Sequence, residues 1–372
     1  MMSEVQEIHS TWVTVDLDAI KNNIHYILER SGVQVMAIVK ANAYGHGAVP
    51  AAQAALQAGA TWCGVARVNE ALELRRAGLN CPILILGYTP EARYEEMIKN
   101  QVSMTVWDIE QVKRVSSAAS QINQEARLHL KVDTGMSRLG VSPDDVISLL
   151  REIASLPIIR IEGLFTHFAR ADEADPAPTD VQEKLFQKLV AKLRDTNIHI
   201  SLIHAANSAA SLTRPSVYFN CVRLGIAMYG LHPSSDCLLP PGFRPALTWK
   251  SVLSQVKILP RGRGISYGHD YVTTRDERIG TVPVGYADGF RRVTGNQVLV
   301  GGHKVPVVGR VTMDQIMVQL DAVPNAKMGD EVVLLGAQGE SSITAEEIGS
   351  RWGTINYEVT SGISRRVPRI YG

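Results

Sequence analysis

Along the first two-thirds of the chain, short apolar runs alternate with longer stretches in which apolar residues recur every three or four positions. The runs are Val35–Val39, Trp62–Ala66, Ile83–Leu86, Ser103–Val106, Leu128–Val132, Ile158–Phe165, Ile200–His204 and Cys221–Leu224. Each is rich in β-formers and as short as a buried strand. Between them the spacing predicts helices at Leu17–Arg30, Ala48–Ala58, Asn69–Ala77, Glu91–Asn100, Asp108–Ala119, Pro143–Ala154, Pro178–Thr196 and Ser208–Thr213. Start signals support several of these, such as Ser142-Pro143, a cap followed by a proline at the first helical position. Eight strand–helix alternations imply parallel βαβ units. Eight is also the number that closes a TIM-type (β/α)8 barrel, with a doubly wound open sheet as the alternative.

The pattern changes near Pro240-Pro241-Gly242. Beyond it, alternating segments are separated by Gly/Pro turns: Leu247–Leu259, Arg278–Pro283, Gln297–Val300, Lys304–Val308, Ile316–Leu320 and Glu331–Leu335. That is the signature of a mainly antiparallel β domain. One helix is expected at Thr344–Trp352, where Thr344 and Glu347 have capping-box spacing. The predicted organisation is an α/β barrel over residues 12–243 and a β domain over 244–372, with residues 1–11 an extension associated with the latter.

Composition narrows the class. The 372 residues are 45% hydrophobic and 20% charged, which suits a packed globular protein and excludes general disorder. Lys+Arg 38 against Asp+Glu 37 leaves a net charge of +1 with no basic tract, so neither nucleic acid nor an anionic membrane is an expected partner. No apolar run approaches the roughly 18 residues of a membrane span. The opening MMSEVQEIHS lacks the apolar core of a signal peptide. Cys63, Cys81, Cys221 and Cys237 form no CxxC pair, so neither a metal site nor a disulfide framework is expected, and the expected location is the cytoplasm.

A barrel of this kind places its chemistry at the C-terminal ends of the strands. Lys40 follows the first run, in Val39-Lys40-Ala41-Asn42-Ala43-Tyr44-Gly45-His46-Gly47. A lysine among small residues and an aromatic suits a Schiff-base role, because desolvation lowers its pKa; a rim lysine reaching water is the plain reading. The fifth run leads into Lys131-Val132-Asp133-Thr134-Gly135-Met136-Ser137-Arg138, and the sixth into Thr166-His167-Phe168. The seventh leads into His204-Ala205-Ala206-Asn207-Ser208, where a helix start favours an anion and a simple N-cap explains Ser208 equally well. Arg223 lies within the eighth run, ahead of Gly225. A lysine, two arginines, a histidine and a phosphate-type nest at one barrel end would suit pyridoxal 5′-phosphate, or a sugar-phosphate enzyme with Lys40 as its Schiff-base residue.

These strings resemble alanine racemase. The Lys40 segment is similar to that family's cofactor-lysine motif. The match continues in order through Lys131–Gly140, Gly163–Phe168, His204–Ala210, Arg223–Gly230, Ser266-Tyr267-Gly268, Pro283–Gly289, Gly309–Gln315 and Asn356-Tyr357-Glu358. The resemblance implies pyridoxal 5′-phosphate on Lys40, with Lys40 and Tyr267 as bases on opposite faces of the substrate. It assigns Arg223 to the pyridine nitrogen and Tyr44, Ser208, Gly225, Ile226 and Tyr357 to the phosphate. Asn207 and Leu86 are cofactor-lining positions. Arg138 contacts cofactor and substrate carboxylate, and the Met313 N–H binds that carboxylate too. His167 and His204 support Tyr267 and Arg223. Tyr286 narrows the entrance, Asp314 lines it, and Lys131 resembles a carbamylated lysine that steadies Arg138. Thr312 stands where some members carry cysteine, which leaves the Met313 N–H unaffected.

The implied activity is two-base racemisation of alanine, supplying D-alanine for cell-wall peptidoglycan, in a homodimer with shared sites. Alternatives are a racemase of serine or another amino acid, a non-catalytic barrel that only binds the cofactor, and an aldolase without it. A free tyrosine has a pKa near 10, so Tyr267 needs nearby cations to serve as a base.

Overall fold

The computed structural model describes residues 8–196 and 198–372. Its described residues form two compact units, one within 18–43 and 47–245, the other of 8–17, 44–46 and 246–372. The strand β1 (Thr11–Val15) lies in the second unit, so the barrel starts after the boundary expected at residue 12. The association expected for residues 1–7 lies outside the described residues.

The first unit is a closed barrel of eight parallel strands. They are β2 (Gln34–Ile38), β3 (Trp62–Val65), β4 (Ile83–Ile85), β5 (Val102–Val106), β6 (Ala126–Lys131), β7 (Ile159–Phe165), β8 (Leu202–His204) and β9 (Cys221–Leu224). Closure comes from β9 pairing with β2, Met36 opposite Arg223, and it excludes the open-sheet alternative. Each strand falls on a predicted apolar run. β3, β4, β5 and β9 are buried at every position, which is why they read as continuous hydrophobic runs.

Two helix expectations need correction. The segment Glu91–Asn100 is a 3₁₀ turn, Glu91–Arg93, followed by the helix Tyr94–Lys99. The helix expected from Pro143 begins at Val146. Residues before it serve another purpose: Asp133 N–H donates to Val141 O and Val141 N–H to Lys131 O, both at 2.9 Å. That clamp closes the loop carrying Arg138, and Ser142 instead receives the Asp145 N–H.

The second unit is built on a sheet ordered β11-β14-β17-β16-β15-β18-β10-β1-β20. Its strands are β10 (Leu247–Val252), β11 (Gln255–Leu259), β14 (Glu277–Val282), β15 (Gln297–Val300), β16 (His303–Val308), β17 (Ile316–Gln319), β18 (Glu331–Gln338) and β20 (Arg369–Tyr371), with β1. Along this path all neighbours are antiparallel except β1 and β20. Short strands β12 (Gly264–Ile265) and β13 (Tyr271–Val272) pair together, and β19 (Ser341–Ile343) pairs with β18. The single strand expected at Leu247–Leu259 is two, because the chain changes partners at Leu253-Ser254: Leu253 N–H bonds Asp330 O and Ser254 N–H bonds Thr281 O. The capping box holds, with Glu347 N–H on Thr344 Oγ1 at 3.1 Å and Thr344 N–H on Glu347 Oε2 at 2.9 Å. A further helix, Asn356–Ser361, had no start signal in the sequence.

Candidate active site

Beyond β2 the chain enters a left-handed turn. Ala41, Asn42, Ala43 and Tyr44 have φ between 52° and 55°. A non-glycine residue there costs roughly 1–2 kcal/mol, so the turn needs outside ties. Glu70 provides one, accepting the Ala41 N–H (2.7 Å) with one oxygen while the other accepts those of Ala66 (2.8 Å) and Arg67 (3.0 Å) after β3. Asn42 accepts the Ala48 N–H at 2.9 Å. Lys40 heads this turn and is half-buried. Burial, then Arg138 and Arg223, hold its ammonium below the usual lysine range, against the opposing charge of Glu70.

Lys131 closes β6 and is buried, its Nζ 4.4 Å above the Phe165 ring. Burial pushes its pKa down to about 6, helped by Arg223 and Arg138. Asp133 shapes the loop that follows, its carboxylate accepting the N–H groups of Gly135, Met136 and Ser137 at 2.9, 2.9 and 3.0 Å. Arg138 on that loop is exposed.

Arg223 is 3% exposed, and the protein surrounds it with acceptors. Nη1 donates to His204 Nδ1 (2.9 Å) and His204 O (3.0 Å). Nη2, with two hydrogens, faces three acceptors and shares one hydrogen among them: Thr166 O (2.9 Å), Ala205 O (2.8 Å) and His167 Nδ1 (3.1 Å). Nε is the guanidinium nitrogen left without a partner among the described residues. Arginine only donates, so both facing imidazole nitrogens carry lone pairs and both histidines are neutral. Burial first, and Arg223 second, hold His167 and His204 well below the ordinary histidine range. Phe165 stacks on His204 with centroids 4.6 Å apart and planes 9° apart. Both histidines therefore face Arg223.

Asn207, not Ser208, caps the helix Ser208–Thr213, its side chain accepting the Ala210 N–H at 3.0 Å. Ser208 Oγ instead accepts from Gly225 N (2.9 Å) and Ala227 N (3.3 Å), which flank Ile226. With both acceptances made, its hydroxyl hydrogen is left to donate. Leu86 directly follows β4 and bonds Val65 O through its N–H at 2.8 Å.

In the second unit, the Tyr44 and Tyr357 rings lie 6.0 Å apart, and burial raises the Tyr44 phenol above its usual range. Tyr267, Met313 and Tyr286 are 71%, 53% and 46% exposed. Their loops are nonetheless fixed. Tyr286 and Ala287 N–H groups bond Thr312 O and Met313 O at 3.1 Å, and a Cβ on Gly285 would meet both oxygens at 2.3 Å. Asp314 pairs with Arg366 at 2.6 Å, and Ser266 Oγ donates to Arg310 O at 2.6 Å, pinning the turn that carries Tyr267.

The two units coincide with two family models: "Alanine racemase, N-terminal domain" over residues 15–233 and "Alanine racemase, C-terminal domain" over residues 246–371. The chain belongs to the alanine racemase family. It is 45% identical to the alanine racemase of Symbiobacterium thermophilum over 372 residues, 99% of each chain. Among solved structures it is similar to alanine racemase of Clostridium difficile, with a TM-score of 0.94, 41% identity and coverage of 98% and 96% of the two chains. It is also similar to alanine racemase from Bacillus anthracis with bound L-Ala-P, with a TM-score of 0.93, 43% identity and coverage of 98% and 95%.

The family's cofactor is pyridoxal 5′-phosphate, and the barrel residues have the chemistry to hold it. Lys40 is a lysine made easier to deprotonate. Arg223 retains one N–H donor of the kind a pyridine nitrogen accepts. Ser208 retains a hydroxyl hydrogen at the start of a helix, which suits a phosphate.

Sequence reading missed Glu70, His129, Glu162 and Phe165 as parts of this site. For His129 and Glu162 the signal was a polar residue inside an apolar strand; Glu70 lies on the helix Val68–Arg76 and Phe165 is itself apolar, so neither carried that signal. His129 and Lys131 sit two apart on β6, hence on one face, and Glu162 interrupts β7.

Proposed function

We propose that this chain interconverts L- and D-alanine with pyridoxal 5′-phosphate held on Lys40, and that Lys40 and Tyr267 act as the two bases. The observation that carries the reading is Arg223: a buried arginine with both terminal nitrogens committed to the protein and Nε–H left over, in the same barrel mouth as a lysine of lowered pKa.

The cofactor, when bound, supplies the electron sink that makes an amino-acid Cα–H removable. Everything else falls to side chains. Lys40, with its proton weakly held, takes or returns the Cα proton on one face. Tyr267 serves the other face, so that either enantiomer can enter and its mirror image leave. Arg223 keeps its own proton even with its pKa pushed down to about 10 by burial. It therefore donates to the ring nitrogen without protonating it, which weakens the sink and favours return of the proton at Cα. Ser208, its hydroxyl oriented by the Gly225 N–H, holds the phosphate with the Ile226 N–H, Tyr44 and Tyr357, largely through neutral donors. Asn207 and Leu86 line the cofactor.

Arg138 and the Met313 N–H bind the substrate carboxylate, with Tyr286 and Asp314 at the entrance. Lys131 is neutral at physiological pH, as addition to CO2 requires: its amine attacks the carbon and loses a proton, leaving a carbamate anion for Arg138. In this reading the exposed Tyr267, Tyr286 and Met313 belong to the active site of a second copy, in a homodimer with shared sites. The expected setting is the cytoplasm, with D-alanine passing to peptidoglycan.

The test is exchange in deuterium oxide. The purified holoenzyme should incorporate one α-deuterium per turnover from either enantiomer of alanine and end at an equal mixture. Exchange with serine but not alanine would move the substrate. Exchange with neither would defeat the proposal.

A further inference from the structure

Behind Arg223 the barrel interior contains a second set of polar groups that the reaction does not use. His204 Nε2 lies 3.0 Å from His129 Nδ1, and His129 Nε2 lies 3.4 Å from Glu162 Oε1. Glu162 also accepts the Ser103 hydroxyl. His129 and His204 are fully buried and Glu162 is 8% exposed.

Donor chemistry orders this row. Arg223 donates to His204 Nδ1, so the His204 proton sits on Nε2. That proton points to His129 Nδ1, which must be a lone pair. The His129 proton is then on Nε2, which lies at ion-pair distance from the Glu162 carboxylate without forming a hydrogen bond to it. Both imidazole protons thus sit on the ring nitrogen away from the guanidinium, and Glu162 faces the row as a nearby negative charge.

Two further observations mark the row as built. A Cβ on Gly163 would meet His129 Nδ1 at 2.1 Å, so the absent side chain makes room for the imidazole. The β6–β7 register also shifts between Leu128 and His129, beside that glycine. Glu162 is, moreover, the one acid among the described buried residues of the barrel unit, and Arg223 is the buried base there that keeps its positive charge. A buried cation without compensation is costly.

We propose that Glu162 is a positioning residue for Arg223: through His129 and His204 it supplies the counter-charge and the fixed tautomers that keep the guanidinium oriented in the barrel mouth. Its charge is felt in company. Lys40 and Arg138 are the neighbouring basic groups, Lys131 is held neutral by burial, His167 is neutral, and the remaining acids, Glu70 and Asp133, are partly exposed and hold backbone N–H groups.

The first measurement is histidine side-chain ¹⁵N NMR of the wild-type holoenzyme. It does not rest on the proposed function. His129 and His204 should both be neutral Nε2–H tautomers that do not titrate between about pH 5.5 and 9. An imidazolium or an Nδ1–H tautomer at either would overturn the row.

The second measurement rests on the cofactor reading and follows the pH midpoint of the bound cofactor's visible band. Glu162→Gln keeps an acceptor and removes the charge. It should disfavour the protonated, cationic form and lower the midpoint by roughly one unit. Glu162→Asp keeps the charge on a shorter arm and should stay near wild type. A merely structural glutamate predicts the reverse, with the isosteric glutamine harmless and the aspartate damaging, and that pattern would overturn the proposal. Absence of any visible band would fault the cofactor reading, while the NMR result still decides the row.

Discussion

Lys131 and Arg223 are the residues at which the barrel departs most from an apolar core, and their burial has a measurable cost. The Lys131 pKa falls from 10.5 to about 6, chiefly through burial. Between those values the unfolded chain binds a proton that the folded chain does not. Stability therefore rises with pH across that window, and the penalty is complete below about pH 6. In CO2-free buffer, Lys131→Met should flatten the gain in urea midpoint between about pH 6 and 8.5. Parallel pH profiles for the two proteins would show that Lys131 is not desolvated. At this scale the sequence was partly legible. Lys40, Arg223 and Ser208 could be picked out because they interrupt or end apolar runs. What Ser208 does was not legible, since cap and ligand share one residue type, and only the Asn207 side chain on Ala210 N–H settles which residue caps.

The element that matters most for Lys40 is the left-handed turn at residues 41–44, and Glu70 is its main outside tie. Glu70→Ala should cost about 2 kcal/mol, from three backbone donors losing a shared acceptor. It should also speed cofactor loss on dialysis, because the lysine's turn is no longer anchored. Urea denaturation and residual absorbance check the two effects. A stable variant that retains cofactor would show that the turn holds itself. Periodicity predicted all eight barrel strands but could not reveal this turn, because Ala-Asn-Ala-Tyr carries no glycine to signal positive φ. It also could not reveal the partner change at Leu253-Ser254, since alternation continues across it. The helix start at Val146 was obscured for a different reason: the tertiary clamp on Val141 overrides a good local cap signal.

For the whole molecule, two units were legible from the change of texture near residue 240. The placement of β1 was not, because a five-residue strand is claimed by long-range pairing with β10 and β20. The proposed assembly makes its own prediction. With Lys40 on the barrel of one copy serving alongside Tyr267 of another, mixing Lys40→Ala with Tyr267→Ala and refolding should restore about a quarter of wild-type sites, since mixed dimers hold one intact site. A dead mixture with mixed dimers present would place each site within one chain. The most direct test of the central claim, that Lys40 holds the cofactor, is borohydride reduction of the yellow holoenzyme followed by peptide mass analysis. The account predicts one pyridoxyl-phosphate adduct, on Lys40, and none in Lys40→Ala. An adduct on another lysine, or a reduced protein with no adduct, would contradict it.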